Sequence, residues 1–164
     1  CRAELARIEA FCRERDLVGL VDEPLDIKGT KYKVTCLSIG NPHCVIPMKR
    51  VSEETARTLG PYVENHRMFP NRINLQIVRV LDRANIDIRI WERGAGYTLA
   101  SGSSSSASAA VAHRLGLVDR DVTVHMPGGQ IGIGIGDGFS IMMTGTVNKV
   151  AEGTMHPELF AVKV

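Results

Sequence analysis

The segment that most constrains this chain is a run of small residues that follows an alternating strand. Isoleucine occupies every second position of residues 85–91, which is the period of a half-buried strand. A glycine-rich turn follows, and residues 101–116 then consist largely of Ser and Ala and stop at Gly116. Good helix formers in this run, with glycine as a C-cap signal, predict a helix. Since no face of that helix is bulky, we expect a thin central helix surrounded by sheet.

The predicted helix also indicates a binding site. A helix that begins near Gly102 leaves its first backbone N–H groups without partners in the helix and points the positive end of its dipole at the preceding turn. Such an end is suited to bind an anion. The alternative interpretation of residues 101–106 is a flexible Gly/Ser linker. The helix formers that follow favour the helix.

Composition excludes several functional classes. The chain has 164 residues, enough for one domain or two small lobes, and its net charge of +2 comes from scattered residues that form no basic stripe for nucleic acid. No apolar run approaches the roughly 20 residues of a membrane span, and the first residues are not a signal peptide. We therefore expect a soluble cytoplasmic protein that binds neither nucleic acid nor membrane.

The four cysteines do not indicate a metal site. Cys1, Cys12, Cys36 and Cys44 match neither a CxxC pair nor a zinc pattern. Reduced and partly buried thiols are the simplest interpretation. The sequence opens on Cys1 and enters a helix-like segment at once, which indicates a piece of a longer polypeptide.

Two parts of the chain are predicted from local patterns. Residues 1–30 should form an N-terminal helix and a connection: an amphipathic pattern covers 2–17, and 18–29 is loop-like with Pro24 and Gly29. Residues 31–164 should form the main domain. Its predicted strands cover 31–39, 75–81, 86–91, 122–126, 130–136 and 139–143.

Other signals place the connections of the main domain. Ser52 is a predicted N-cap of a short helix that runs toward Leu59 and ends at Gly60-Pro61. Asp137-Gly138 predicts a two-residue hairpin, and the tail 145–164 contains one further strand candidate. The Gly-x-Gly-x-Gly pattern of 132–136 has no helix after it, so we interpret it as strand glycines and not as a phosphate loop.

Two polar segments are candidates for chemistry. Asn41 and His43 lie in a turn between two predicted strands, and the proline after Asn41 keeps that asparagine out of the helical region. Ordinary turn contacts are the alternative for both residues. The connection 63–74 is dense in hydrogen-bonding side chains, and Asn74 stands at the start of the next strand.

Five motifs taken together resemble the C-terminal half of the diaminopimelate epimerase family. In chain order they are Gly40-Asn41-Pro42-His43, 69–74 (FPNRIN), 92–100 (ERGAGYTLA), Pro127-Gly128-Gly129 and Met143-Thr144-Gly145. The resemblance implies an α+β fold, with a mostly antiparallel sheet curled around a central helix. It also implies that this is one of two pseudo-symmetric halves, with the active site in the cleft between them.

The resemblance implies a reaction without metal or organic cofactor. In that family two cysteines, one from each half, face opposite sides of the substrate α-carbon. One removes the α-proton and the other returns a proton from the far side, which converts LL- to meso-diaminopimelate. Helix N-termini that hold the α-carboxylate stabilise the developing negative charge.

By motif position, the resemblance implies roles for eight residues. Gly102 and Ser103 would bind the α-carboxylate through backbone N–H groups, and Glu92 would accept from the α-ammonium. Asn41, Asn74 and Arg93 would hold the distal end of the substrate. His43 and Glu92 would tune the pKa values of the catalytic pair, and Ser101 occupies the catalytic position.

Ser101 is where the sequence departs from the family. The family has cysteine at this position in an Ala-Cys-Gly sequence, and a serine hydroxyl is a far weaker acid than a thiol with a pKa of about 8.5. Ser101 therefore cannot be assumed to do the same work. In an epimerase it would be either a natural variant of the base or an engineered replacement for cysteine. None of the four cysteines matches the missing position.

Three functional interpretations remain open from the sequence. The first is an epimerase of the diaminopimelate epimerase type, and the second is a related isomerase with another amino-acid substrate. The third is a non-catalytic relative that binds an amino acid. The expected partners are a small amino-acid substrate, the N-terminal half of the fold and, through the exposed edge of the curled sheet, a second copy in a homodimer.

Overall fold

The computed structural model describes residues 20–161, so the helix predicted over 2–17 lies outside the described residues. Within that range the chain forms nine strands and two α-helices. The strands are β1 (Glu23–Ile27), β2 (Thr30–Ser38), β3 (Pro42–Pro47), β4 (Asn74–Asp82), β5 (Asn85–Glu92), β6 (Gly96–Thr98), β7 (Asp121–Met126), β8 (Gly129–Ile135) and β9 (Ile141–Thr144). The helices are α1 (Glu53–Glu64) and α2 (Gly102–Arg114). Neither has the length and apolarity needed to cross a membrane.

All nine strands belong to one mixed sheet. Its order is β1-β2-β3-β4-β5-β7-β8-β9, and the short β6 pairs with β5. Most neighbours are antiparallel, but β3 with β4 and β5 with β7 are parallel. A parallel pair needs a crossover, and α1 and α2 supply the two crossovers. The fold is therefore α+β, as the sequence predicts.

The alternating isoleucines of β5 form the centre of the larger core. Ile86, Ile88 and Ile90 are fully buried and pack in one cluster with Ala109 and Val111 of α2. The period-two pattern therefore gives β5 one face that packs on the helix, as predicted. Branched side chains from β7 and β8 complete this cluster.

Helix α2 is enclosed by the sheet. Its residues from Ser104 to Ala112 are all buried, and the helix contacts strands from β2 round to β9. The hydroxyls of Ser105, Ser106 and Ser108 each donate to a carbonyl four residues earlier, at 2.7–2.9 Å, so they are buried with partners. The central helix is confirmed, and the alternative of a flexible linker over 101–106 is wrong.

Helix α1 packs on the opposite face of the sheet. Ala56, Leu59 and Val63 form a second cluster with Leu75 and Ile77 of β4, among others. Ser52 caps the helix by accepting from the N–H of Thr55 at 3.0 Å, as predicted. Cys36 of β2 is opposite Cys44 of β3, which is buried in this cluster.

The prediction of a loop over 18–29 is wrong, because β1 lies within it. Leu25 and Ile27 are buried on one face of this strand, which pairs antiparallel with β2. The strand accommodates Pro24 because β1 is at the edge of the sheet, where a residue without an N–H breaks no ladder. A strand on the N-terminal side of residue 30 thus pairs with the segment predicted as the main domain.

The prediction that α1 ends at Gly60-Pro61 is also wrong. The helix continues to Glu64, and Asn65 closes it by donating from both its backbone N–H and its side chain to the carbonyl of Pro61. Gly60 lies against the indole ring of Trp91. The glycine therefore serves close packing and does not terminate the helix.

The C-terminal connections differ from the prediction in length. Residues 136–140 join β8 to β9, with a 3₁₀ turn over Asp137–Phe139 in place of a two-residue hairpin. Gly138 and Phe139 both have positive φ there, which a two-residue turn at Asp137-Gly138 would place one position earlier. No strand follows β9 up to residue 161, and Pro157–Phe160 is a second 3₁₀ helix.

The packing of Gly60 predicts that alanine is less stable than glycine at this helix position, the reverse of the usual order. Alanine normally stabilises a helix interior by about 1 kcal/mol relative to glycine. A Cβ at Gly60 would overlap the Trp91 indole, so we expect Gly60→Ala to destabilise the full-length protein by about 1–3 kcal/mol in urea unfolding. The control is Thr58→Ala at an exposed position of α1, which should not destabilise. A stabilised Gly60→Ala would contradict this packing.

Candidate active site

Ser101 is the N-cap of α2. Its backbone is extended, and its Oγ accepts from the N–H of Ser104 at 3.3 Å and lies 3.3 Å from Ser103 Oγ. Its carbonyl accepts from the N–H and the hydroxyl of Ser105. The N–H groups of Gly102 and Ser103 precede the first helical bond, and no acceptor in residues 20–161 faces them. These two N–H groups, at the positive end of a 13-residue helix, can bind an anion.

A second group of polar side chains lies where β3 and β4 begin. His43 and Asn74 are neighbours in register on these parallel strands. Asn74 donates from Nδ2 to the carbonyl of Pro42 at 2.7 Å and accepts at Oδ1 from the N–H of Arg93 at 2.9 Å. Asn74 therefore ties three segments together through their backbones.

His43 is fully buried, and both ring nitrogens have partners. Nε2 lies 2.9 Å from Asn41 Oδ1, and Nδ1 lies 3.2 Å from Gln76 Oε1. Burial lowers the pKa of His43 from 6.5 to about 4; the hydrogen bond to Gln76 opposes this shift, and the positive charge of Arg93 adds to it. The ring is neutral at pH 7 and carries one N–H, which donates to one of these two amide oxygens.

Gln76 connects this group to α2. It is fully buried in β4, and its Nε2 donates to Ser104 Oγ in the first turn of the helix at 3.0 Å. A continuous polar chain thus runs from Asn41 through His43 and Gln76 to Ser104. It fixes the position of Asn41 relative to the helix start.

Glu92 is the last residue of β5, and Arg93 begins the turn after it. The N–H of Ala95 donates to the carbonyl of Glu92 at 3.0 Å, and Gly94 has a φ of 79°, which L side chains rarely adopt. Arg93 donates from Nη1 to the carbonyl of Asn71 at 3.0 Å. Glu64, at the end of α1, accepts from the N–H of Gly94 at 2.9 Å. Side chains from α1 and β4 thus hold this turn.

Two further motifs meet the start of α2. The N–H of Gly128 donates to the carbonyl of Leu99 at 2.8 Å, and a Cβ on this glycine would come within 3.0 Å of Ala100. A Cβ at Gly102 would lie 2.8 Å from the sulfur of Met143. The turn after β7 and the strand β9 therefore approach the segment around Ser101 closely.

The structure brings the predicted residues together in two linked sets. Asn41, His43, Asn74 and Arg93 form one, and Ser101, Gly102 and Ser103 form the other. Glu92 is half-buried, and its carboxylate has no hydrogen bond or ion pair within residues 20–161. No group of three or more His, Cys, Asp or Glu that could hold a metal occurs in that range.

Three residues with contacts in the candidate site were not predicted from the sequence: Glu64, Gln76 and Ser104. A signal existed for two of them. Gln76 is a polar residue between the apolar Leu75 and Ile77 of a central strand, and Glu64 is an acid in the last turn of a helix, where the dipole disfavours it. Both departures from the usual pattern mark buried polar contacts.

The lowered pKa of His43 predicts a pH dependence of stability. In the unfolded chain His43 becomes protonated below pH 6.5. In the folded chain it stays neutral down to about pH 4. The free energy of unfolding should therefore decrease as the pH is lowered from 6.5 to 4, by about 1.4 kcal/mol per pH unit and about 3 kcal/mol in all. Above pH 6.5 this contribution is constant.

The measurement is urea unfolding of the full-length protein at a series of pH values. His43→Gln should flatten the slope between pH 6.5 and 4, whereas His156→Gln, which removes an exposed imidazole, should leave it. Equal slopes for wild type and His43→Gln would contradict the assignment.

Comparison with known sequences identifies relatives of this chain. The family model described as diaminopimelate epimerase matches residues 35–150. Diaminopimelate epimerase 2 of Nostoc sp. is 46% identical over 166 residues, covering 99% of this chain and 58% of the relative. Diaminopimelate epimerase of Magnetococcus marinus is 41% identical over 136 residues, covering 83% and 49% respectively. The chain thus spans about half the length of the curated relatives it matches.

A solved structure supports the fold. The crystal structure of methylitaconate-delta-isomerase superposes with a TM-score of 0.54 at 11% identity, covering 85% of this chain and 54% of that one. At this identity the likeness concerns the fold alone. The family model covers most of the chain, and the relatives share more than 40% of their aligned residues with it. The chain therefore belongs to the diaminopimelate epimerase family.

Proposed function

We propose that this chain and a second half of the fold together form an amino-acid epimerase of the diaminopimelate epimerase type, acting without a cofactor on LL- and meso-diaminopimelate. The observation that carries the proposal is the convergence of five separate motifs at the N-terminal end of α2. Gly128 and Met143 lie against the segment around Ser101, and the set formed by Asn41, His43, Asn74 and Arg93 is linked to Ser104 through Gln76. The second half supplies the opposite wall of the cleft.

The helix start binds the α-carboxylate in this proposal. The N–H groups of Gly102 and Ser103, which no acceptor of residues 20–161 faces, donate to the carboxylate oxygens, and the helix dipole adds to the attraction. The same groups stabilise the negative charge that spreads onto the carboxylate when the α-proton leaves. The same donors thus act in substrate binding and in catalysis. They increase the reaction rate to the extent that they bind the anionic intermediate more strongly than the substrate.

The remaining polar groups bind the other charges of the substrate. Glu92 accepts from the α-ammonium, because no donor of residues 20–161 occupies its carboxylate. Arg93 and Asn41 contact the distal end. Asn74 uses both ends of its amide on the backbone, so it holds Arg93 in place as well as lining the site. His43 is buried behind Asn41 and supports the orientation of that amide.

Ser101 limits the chemistry that this half can perform. Removing an α-proton requires a base, and a serine hydroxyl needs a neighbouring base to become one. The Ser101 hydroxyl contacts Ser103 and the N–H of Ser104, and no carboxylate or imidazole of residues 20–161 is hydrogen-bonded to it. We therefore assign proton removal to a group of the second half. Ser101 takes the place of the acid that returns a proton on the opposite face. As an acid, serine is weaker than cysteine.

This feature of Ser101 also favours a second candidate function. A half that keeps the carboxylate site and lacks a strong acid or base at position 101 would bind an amino acid without inverting it. Proton exchange on one face, by the base of the second half alone, would then be the only reaction at the α-carbon. The two candidates differ in whether the configuration inverts.

The experiment incubates the full-length protein with LL-diaminopimelate in D₂O and follows both deuterium at the α-carbon and the meso product. We expect Ser101→Cys to raise the rate of inversion by about 10²- to 10⁴-fold, the usual contribution of a positioned acid or base. Ser52→Cys is the matched control, because Ser52 is also a helix N-cap that accepts from the residue three positions later. It should not change the rate of inversion.

The outcomes separate the candidates. Inversion by wild type that disappears in Ser101→Ala would make Ser101 part of the reaction. If the wild type shows deuterium exchange without inversion, and Ser101→Cys gains inversion, the results would support the second candidate, a binding relative with the scaffold of an epimerase. Absence of exchange and inversion in wild type and Ser101→Cys would overturn the epimerase proposal.

A further inference from the structure

We propose that Glu64 is a positioning residue for amino-acid binding, because its buried carboxylate holds the turn that presents Glu92 and Arg93. This inference rests on the proposed function, in which these two residues bind the substrate. Glu64 itself is at the end of α1, and its side chain is 8% exposed. It therefore acts through the turn and not by contact with the substrate.

Three donors from three segments share the Glu64 carboxylate. Oε1 accepts from the N–H of Gly94 at 2.9 Å and from Arg72 Nη1 at 3.0 Å, and Oε2 accepts from the indole N–H of Trp91 at 2.7 Å. Both ends of the carboxylate are thereby occupied. The carboxylate links α1, the polar connection 63–74, the end of β5 and the turn after it.

The turn is held from two sides by side chains. Asn74 of β4 accepts from the N–H of Arg93, and Glu64 of α1 accepts from the next N–H along the chain, that of Gly94. Two consecutive backbone donors thus bind two side chains on different elements. Since Arg93 lies between these anchors, the direction of its guanidinium depends on both.

Stability of α1 alone does not account for Glu64. An acid in the last turn faces the negative end of the helix dipole, and no basic residue lies in that turn. Its ion-pair partner, Arg72, is half exposed, and desolvation of a carboxylate opposes burial. The hydrogen bonds to Trp91 and Gly94 explain why a buried carboxylate occupies position 64, because both donors belong to the segment that carries Glu92 and Arg93.

The test uses the full-length protein and compares Glu64→Gln with wild type. Glutamine keeps the size and one acceptor oxygen, but its NH₂ replaces an acceptor that faces N–H donors. We expect the KM for diaminopimelate to rise about tenfold or more, with a smaller change in kcat. Glu54→Gln is the matched control, since Glu54 is an exposed acid of the same helix. It should leave KM and kcat unchanged.

A spectroscopic readout separates positioning from folding. Trp91 is the single tryptophan of this chain, and its indole N–H resonance, assigned by its loss in Trp91→Phe, reports on the Glu64 contact directly. Addition of diaminopimelate should shift this resonance in wild type, and the shift should be reduced in Glu64→Gln. If Glu64→Gln does not fold, Glu64→Asp keeps the charge and withdraws the carboxylate from Gly94, and it should raise KM in the same way.

The results distinguish this inference from the proposed function. Binding and exchange by wild type with an unchanged KM in the folded Glu64 variants would overturn the role of Glu64 and leave the proposed function standing. Failure of wild type to bind any amino acid would overturn both. A raised KM, together with a reduced shift of the Trp91 resonance, would support the positioning role.

Discussion

The close approach of the sheet to helix α2 is the constraint on which the rest of the structure depends. Nine consecutive residues of this helix are buried, and all are Ser, Ala or Val. Larger side chains would push the strands outward, whereas small ones let β5, β7 and β8 pack their isoleucines and valines directly on the helix. The hydroxyls of Ser105, Ser106 and Ser108 bond within the helix, and that of Ser104 accepts from Gln76, so these buried hydroxyls all have partners. The helix start is thereby held in a fixed place at one end of the curled sheet.

Side chains take over backbone hydrogen bonding at that end of the sheet. Asn74 and Glu64 accept from consecutive N–H groups of the turn after β5, and Gln76 reaches from β4 to the first turn of α2. Buried amides and carboxylates of this kind fix geometry because a misplaced partner leaves a costly unpaired group. The candidate site is therefore held in place by buried polar side chains from the neighbouring elements.

The sequence predicts the elements whose signal is local and periodic. The alternation of β5, the small residues of α2 and the N-cap at Ser52 are each determined within a few residues, and each prediction is confirmed. Pro24 and Gly60-Pro61 misled the prediction, because a neighbour in space decides their effect. Pro24 is on an edge strand, and Gly60 makes room for Trp91. Neither neighbour can be read from the adjacent sequence.

The residues of the candidate site likewise divide into those that the sequence predicts and those that it does not. Motif position indicated Asn41, His43, Asn74, Arg93 and the helix start, and the structure brings these residues into two linked sets. Glu64, Gln76 and Ser104 were missed because their partners are far away in the chain: 30 residues separate Glu64 from Gly94, and 28 separate Gln76 from Ser104. Whether position 101 supports turnover depends on the facing half, which contributes the opposing base in our proposal.

The central claim is that the start of α2 binds the carboxylate of an amino acid, and a crystal structure of the full-length protein with bound diaminopimelate tests it most directly. The account predicts an α-carboxylate oxygen within about 3.2 Å of the backbone nitrogens of Gly102 and Ser103. It also predicts that the distal end lies toward Arg93. A bound substrate whose carboxylate lies elsewhere, with both N–H groups facing water, would contradict it.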